Sequence, residues 1–130
     1  MSNSPAPEVQ AYLDGVPEKY RQALVRVVGV LQEKLQLEPT VSYGIIAFML
    51  YGKYGIYVSG WKDHMSFHGG HFLAPLAEKH PEWLKSKGAT IWFQDQPELP
   101  EEIVDSVISA RLASMPEEHI PGNLRSWPPV

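Results

Sequence analysis

A chain of 130 residues with 44% apolar and 20% charged side chains has the balance of one globular domain, able to bury roughly two-thirds of the surface its unfolded form exposes. A net charge of −4 with no basic stripe speaks against nucleic acid as a partner, and the absence of cysteine excludes disulfides, thiolate metal sites and a cysteine nucleophile. No apolar run reaches the roughly 18 residues that cross a bilayer, and MSNSPAPEVQ has neither a basic nor an apolar leader region, so the expectation is a cytoplasmic protein without membrane contact.

Residues 1–7 read as a flexible polar tail. Val9, Tyr12 and Leu13 follow helical spacing up to Gly15, which predicts a short helical hook. Pro17 suits the first position of a longer helix, whose buried stripe is Tyr20, Leu24, Val27, Val28, Leu31 and Leu35, with Pro39 as its stop. From Thr40 to Phe67 the apolar period falls to two, and β-branched and aromatic residues are punctuated by glycines. Three or four antiparallel strands are expected there. Residues 51–55 form the turn between strands 47–50 and 56–61, and Lys62-Asp63 leads into a strand at 64–68.

Gly69-Gly70 breaks the pattern, and a short helix with an irregular exit fits the stretch to Ser86. A further strand covers 89–93 after a turn at Lys87-Gly88. Pro100 opens the last helix, whose stripe is Ile103, Val104, Val107, Ile108 and Leu112. Residues 8–115 are thus one domain, and 116–130 form a proline-rich extended tail held by Leu124 and Trp127. The fold class is α+β, a single-layer antiparallel sheet of four to five strands packed by helices on one face.

Alternation sorts the strand residues by face. Phe48, Leu50, Ile56, Val58, Met65, Phe67, Ile91 and Phe93 make a plain apolar surface for the helices. Met49, Tyr51, Tyr57, Ser59, Trp61, His64, Ser66, His68, Thr90 and Trp92 make the other, where rings carry hydrogen-bonding tips. With Tyr43 from a neighbouring turn, the candidate ligand-binding face is Tyr43, Tyr57, Trp61, His64, His68, Thr90 and Trp92. The competing reading is that the C-terminal tail or a second subunit covers these rings.

His64, His68 and His71 invite a metal, but a straight strand would set the first two about 13 Å apart, which leaves His68 and His71 across the Gly-Gly turn as the candidate ligands. Glu98, Glu101, Glu102 and Asp105 fit either a hard cation or the positive end of the last helix. Lys85 and Lys87, beside Gly88, are a candidate anion site. No G-x-S-x-G surrounds Ser42, Ser59 or Ser66, and no partner is identifiable for His64 or His68 as an acid or base, so an enzyme is not the expectation.

Tyr12-Leu13, Val16-Pro17, Val41-Ser42-Tyr43-Gly44 with Ala47-Phe48, His64-Met65-Ser66-Phe67 and the run 86–93, in this order and spacing, resemble the YdhG-like family of small bacterial domains. That family, long described as of unknown function, includes a frataxin-like intracellular iron chaperone. The resemblance implies an α/β sandwich and iron as a possible cargo. Ile45-Ile46 stands where the family usually has Met-Pro. Two readings of function follow: a YdhG-like binding domain that handles iron, or a metal-independent module whose aromatic and histidine face takes a small molecule or a partner protein. Either state, monomer or homodimer, is compatible with both.

Overall fold

The computed structural model describes residues 6–62, 64–87, 90–93 and 99–127. Four α-helices and six strands are present among them, in the order α1 (Pro7–Asp14), α2 (Glu18–Leu35), β1 (Thr40–Ser42), β2 (Ile45–Tyr51), β3 (Tyr54–Gly60), β4 (Met65–His68), α3 (Ala74–Lys79), β5 (Lys85–Lys87), β6 (Thr90–Phe93) and α4 (Glu101–Ala113). The strands form one antiparallel sheet, ordered β1-β2-β3-β4-β6-β5. The α+β reading holds. The sheet exceeds the expected four to five strands because β1 and β5 are three-residue edges, and Lys-Ser-Lys in β5 carries no apolar alternation by which a strand is recognised.

Prolines set the helix starts. Pro7 is the first residue of α1, and Pro17 and Pro100 hold extended backbone just before α2 and α4, where a missing N–H leaves no helical bond unmade. Pro116 and Pro121 do the same before two 3₁₀ turns, Glu117–His119 and Gly122–Leu124, so the described part of the tail is coiled where an extended course was expected. Gln36, not Pro39, ends α2, by adopting a left-handed conformation at φ 57°.

All eight residues assigned to the apolar face are buried in one core, with the stripes of α1, α2 and α4 packed against them. The α1–α2 connection and α2 come close to the sheet at Gly60: a methyl group there would sit 2.7 Å from Val16 Cγ1 and 3.2 Å from Leu24 Cδ2. Tyr12 reinforces the contact, its hydroxyl accepting from Gly60 N at 3.0 Å. Gly60→Ala should therefore lower stability by about 1–2 kcal/mol through overpacking, read as a drop in the urea midpoint. An unchanged midpoint would show that Val16 yields freely.

Alternation misplaces one ring. The register slips between Met49 and Tyr51, so Tyr51 pairs with Tyr54. A bulge of this kind turns the following side chain over. Tyr51 leaves the polar face and stacks on His119 of the tail, 4.1 Å between ring centres.

Candidate ligand-binding face

The outer face is built in rows by the antiparallel register. Ala47, Tyr57, His68 and Thr90 lie in one row, with Lys87 beyond them, and Ser59, Ser66, Trp92 and Lys85 form the next. Trp61 and His64 close the β3–β4 hairpin above these rows, joined by Trp61 N donating to His64 O at 2.8 Å. Ala47, Ser59 and Ser66 are fully buried and form a floor of small side chains, while the rings around them remain half-buried or exposed.

Hydrogen bonds link this floor to the rings. Trp61 Nε1 donates to Ser59 Oγ at 2.7 Å, Ser59 Oγ meets His68 Nε2 at 2.7 Å, and His68 Nδ1 meets Thr90 Oγ1 at 2.9 Å. Indole nitrogen only donates, so Ser59 accepts there. Its own buried proton then needs an acceptor, which His68 Nε2 supplies, leaving Nδ1–H to donate to Thr90. The chain runs in one direction with His68 neutral. Burial holds the His68 ring below the ordinary imidazole range, and the nearby His64 adds to the shift.

A serine, a histidine and an orienting hydroxyl would suit nucleophilic catalysis if the serine could be reached. Ser59 is fully buried, and its oxygen is already engaged by Trp61. The network is a support for Trp61, whose ring is 44% exposed. His64 stacks on Trp92 with 3.6 Å between centres and lies 6.3 Å from Trp61, which makes an array of three rings. Ser66 Oγ lies buried on the same face with no hydrogen-bond partner among the described residues.

A second ring pair stands at the other side. Tyr43 and Gly44 both have positive φ, 55° and 75°, and make a two-residue turn between β1 and β2. Tyr43 is 90% exposed, 6.1 Å from the Tyr57 ring. An aromatic residue in that conformation costs the fold roughly 1 kcal/mol that asparagine would recover. Tyr43→Asn is expected to raise the thermal midpoint while weakening any ligand that uses this ring, and a lowered midpoint would remove the strain argument.

The described part of the tail is tied to the helices, where Trp127 Nε1 donates to Ser109 Oγ of α4 at 2.7 Å and Asn123 Nδ2 donates to Leu35 O of α2 at 3.1 Å. A cavity of about 680 Å³ between α3 and α4, lined by Phe72, Leu76, Ala110 and Ala113, is also on the helical side and holds none of the expected site residues.

Of the two histidines expected as metal ligands, His68 has other partners in the sheet. His68 spends both ring nitrogens on Ser59 and Thr90, and His71 sits in a 3₁₀ turn (His71–Leu73) packed against α4. No group of three or more His, Asp or Glu side chains converges among the described residues. In the acidic cluster, Lys34 of α2 reaches Glu101 at 2.9 Å and Asp105 at 2.8 Å, so these carboxylates are answered by a lysine. Glu98 and Gly88 lie outside the described residues. The anion candidates fare differently: register places Lys85 opposite Trp92 and Lys87 opposite Thr90, joining two features that the sequence kept apart.

Comparison with models of known families, with curated proteins and with solved structures gave no match.

Proposed function

We propose that this protein is a non-covalent binding domain of the YdhG-like type, acting in the cytoplasm, whose open sheet face receives a planar organic ligand without a metal. One observation carries the reading. Trp61, His64 and Trp92 stand together on the sheet face opposite the helices, with the exposed indole of Trp61 fixed by a buried hydroxyl–imidazole chain. Rings held in place lose little freedom on stacking, so their contact area converts efficiently into affinity.

The test is a tryptophan-fluorescence titration against a panel of planar aromatic compounds, run with and without a chelator. Binding should quench emission, survive the chelator and raise the thermal midpoint. Trp61→Leu should weaken it about tenfold, the equivalent of roughly 1.4 kcal/mol. If Trp61 is shielded from acrylamide in a protein that sedimentation shows to be monomeric, the face is closed and the proposal fails.

A further inference from the structure

The six strands contain no aspartate or glutamate, and apart from histidine their only charged residues are Lys85 and Lys87. This occurs in a chain where 15 acidic residues outnumber 11 basic ones. The negative charge of the described residues therefore lies wholly on helices and turns, and the chain-wide balance conceals a sheet of opposite sign. Lys85, exposed on edge strand β5, is the direct cross-strand neighbour of Trp92, the terminal ring of the three-ring array.

Resting on the reading of this face as the binding site, we infer that its occupant is a small planar heteroaromatic anion of the nucleotide class, a ring joined to a phosphate chain. Trp61 receives the ring, and Lys85 answers the anionic end. Span supports this division of labour. From Trp61 on β3 to Lys85 on β5 the line crosses three strand spacings and is offset by two residues, about 16 Å between α-carbons. A lysine stem reaches roughly 6 Å, so about 10 Å remains between the Trp61 α-carbon and the ammonium. A bare aromatic acid is too short for that interval, whereas a nucleoside di- or triphosphate covers it.

Charge also separates this occupant from a second copy of the chain. A symmetric dimer through the outer faces would bury Lys85 of each copy against strands without one carboxylate, leaving a positive charge unanswered in the interface. A neutral ring ligand would leave Lys85 without a role. An anion joined to a ring uses both Trp61 and Lys85.

The experiment titrates the full chain with ATP in the absence of magnesium, with adenosine as ring without charge and inorganic triphosphate as charge without ring. Quenching and calorimetry are read at low and at physiological salt, with a ten-nucleotide oligothymidylate as the polymer control. ATP should bind at least tenfold more tightly than adenosine or triphosphate and weaken as salt rises. Lys85→Glu should lower ATP affinity about tenfold and leave adenosine unchanged, with Lys85→Gln between them, while Lys79→Glu on α3 should change neither. Equal affinity for adenosine and ATP overturns the anion assignment and leaves the binding face standing. Silence from every probe counts against both. An oligonucleotide response without an ATP response, a face occluded by dimerisation, or an Lys85→Glu variant that is folded and binds ATP normally also overturns the assignment.

Discussion

Replacing Arg111 by alanine is expected to cost the fold about 3 kcal/mol, although no carboxylate pairs with this arginine among the described residues. Arg111 lies on α4 and is 6% exposed. Its Nη1 donates to Gly69 O at 3.2 Å and more distantly to Gly55 O at 3.4 Å, and its Nη2 donates to Ser114 Oγ at 2.7 Å. The guanidinium lies over Phe72, 4.0 Å from the ring centre, with Tyr54 at 5.4 Å. One side chain thus ties α4 to the start of β3 and to the Gly69-Gly70 turn.

That turn needs the tie. Gly69 and Gly70 both have φ near 140°, backbone that other residues rarely adopt, so nothing intrinsic to the chain keeps the segment in place. Truncating Arg111 leaves buried carbonyls without a donor, at about 1–3 kcal/mol for each group fully orphaned, and also removes a cation stacked on an aromatic ring and a packed stem. Burial lowers the Arg111 pKa, yet a guanidinium keeps its proton, so the native state holds a desolvated charge whose stability rests on these dipoles and rings. Arg111→Lys retains the charge without the planar fork and should recover less than half of the loss. Urea unfolding of both variants measures this, and a cost below 1 kcal/mol for alanine would show that water takes over the bonds.

The apolar side of the sheet was legible from alternation because period two is fixed by the pleat, and each of its eight expected members is buried. Tyr51 was misread because a bulge changes the count of residues without changing their pattern. Arg111 did carry a signal, since it falls three residues after Ile108 and four after Val107, on the buried stripe of α4. Reading only apolar residues as core hides such a position. The outer face was legible as a set of rings, but its arrangement was not: Ser59 meets His68, and Lys85 comes opposite Trp92, through strand register, which long-range pairing decides. The iron implied by the family resemblance depends on converging donors, and convergence cannot be read from spacing along one strand.

The Ser59–His68 pair carries the second large expectation, and it is one of coupling. His68→Leu leaves the fully buried Ser59 hydroxyl with no acceptor for its proton, at about 2 kcal/mol, and Ser59→Ala strips Trp61 Nε1 and His68 Nε2 of their shared partner at a similar cost. Removing both should cost clearly less than the sum, by about 1 kcal/mol, because the double variant has fewer orphaned groups than the two singles together. The pH dependence has a definite sign. His68 is held below the ordinary imidazole value in the fold, so the unfolded chain binds the proton more readily. Its contribution is complete above about pH 6.5, the unfolded value, and is lost as pH falls below that point and through the folded value. Wild-type protein should lose stability on acidification from pH 7 to 5, and His68→Leu should lose less over the same range. The same substitutions release the Trp61 ring, so ligand quenching should weaken in step with the stability coupling. Additive costs together with an unchanged pH slope would mean that the chain of bonds from Trp61 to Thr90 is incidental, and the exposed indole would then owe its position to packing alone.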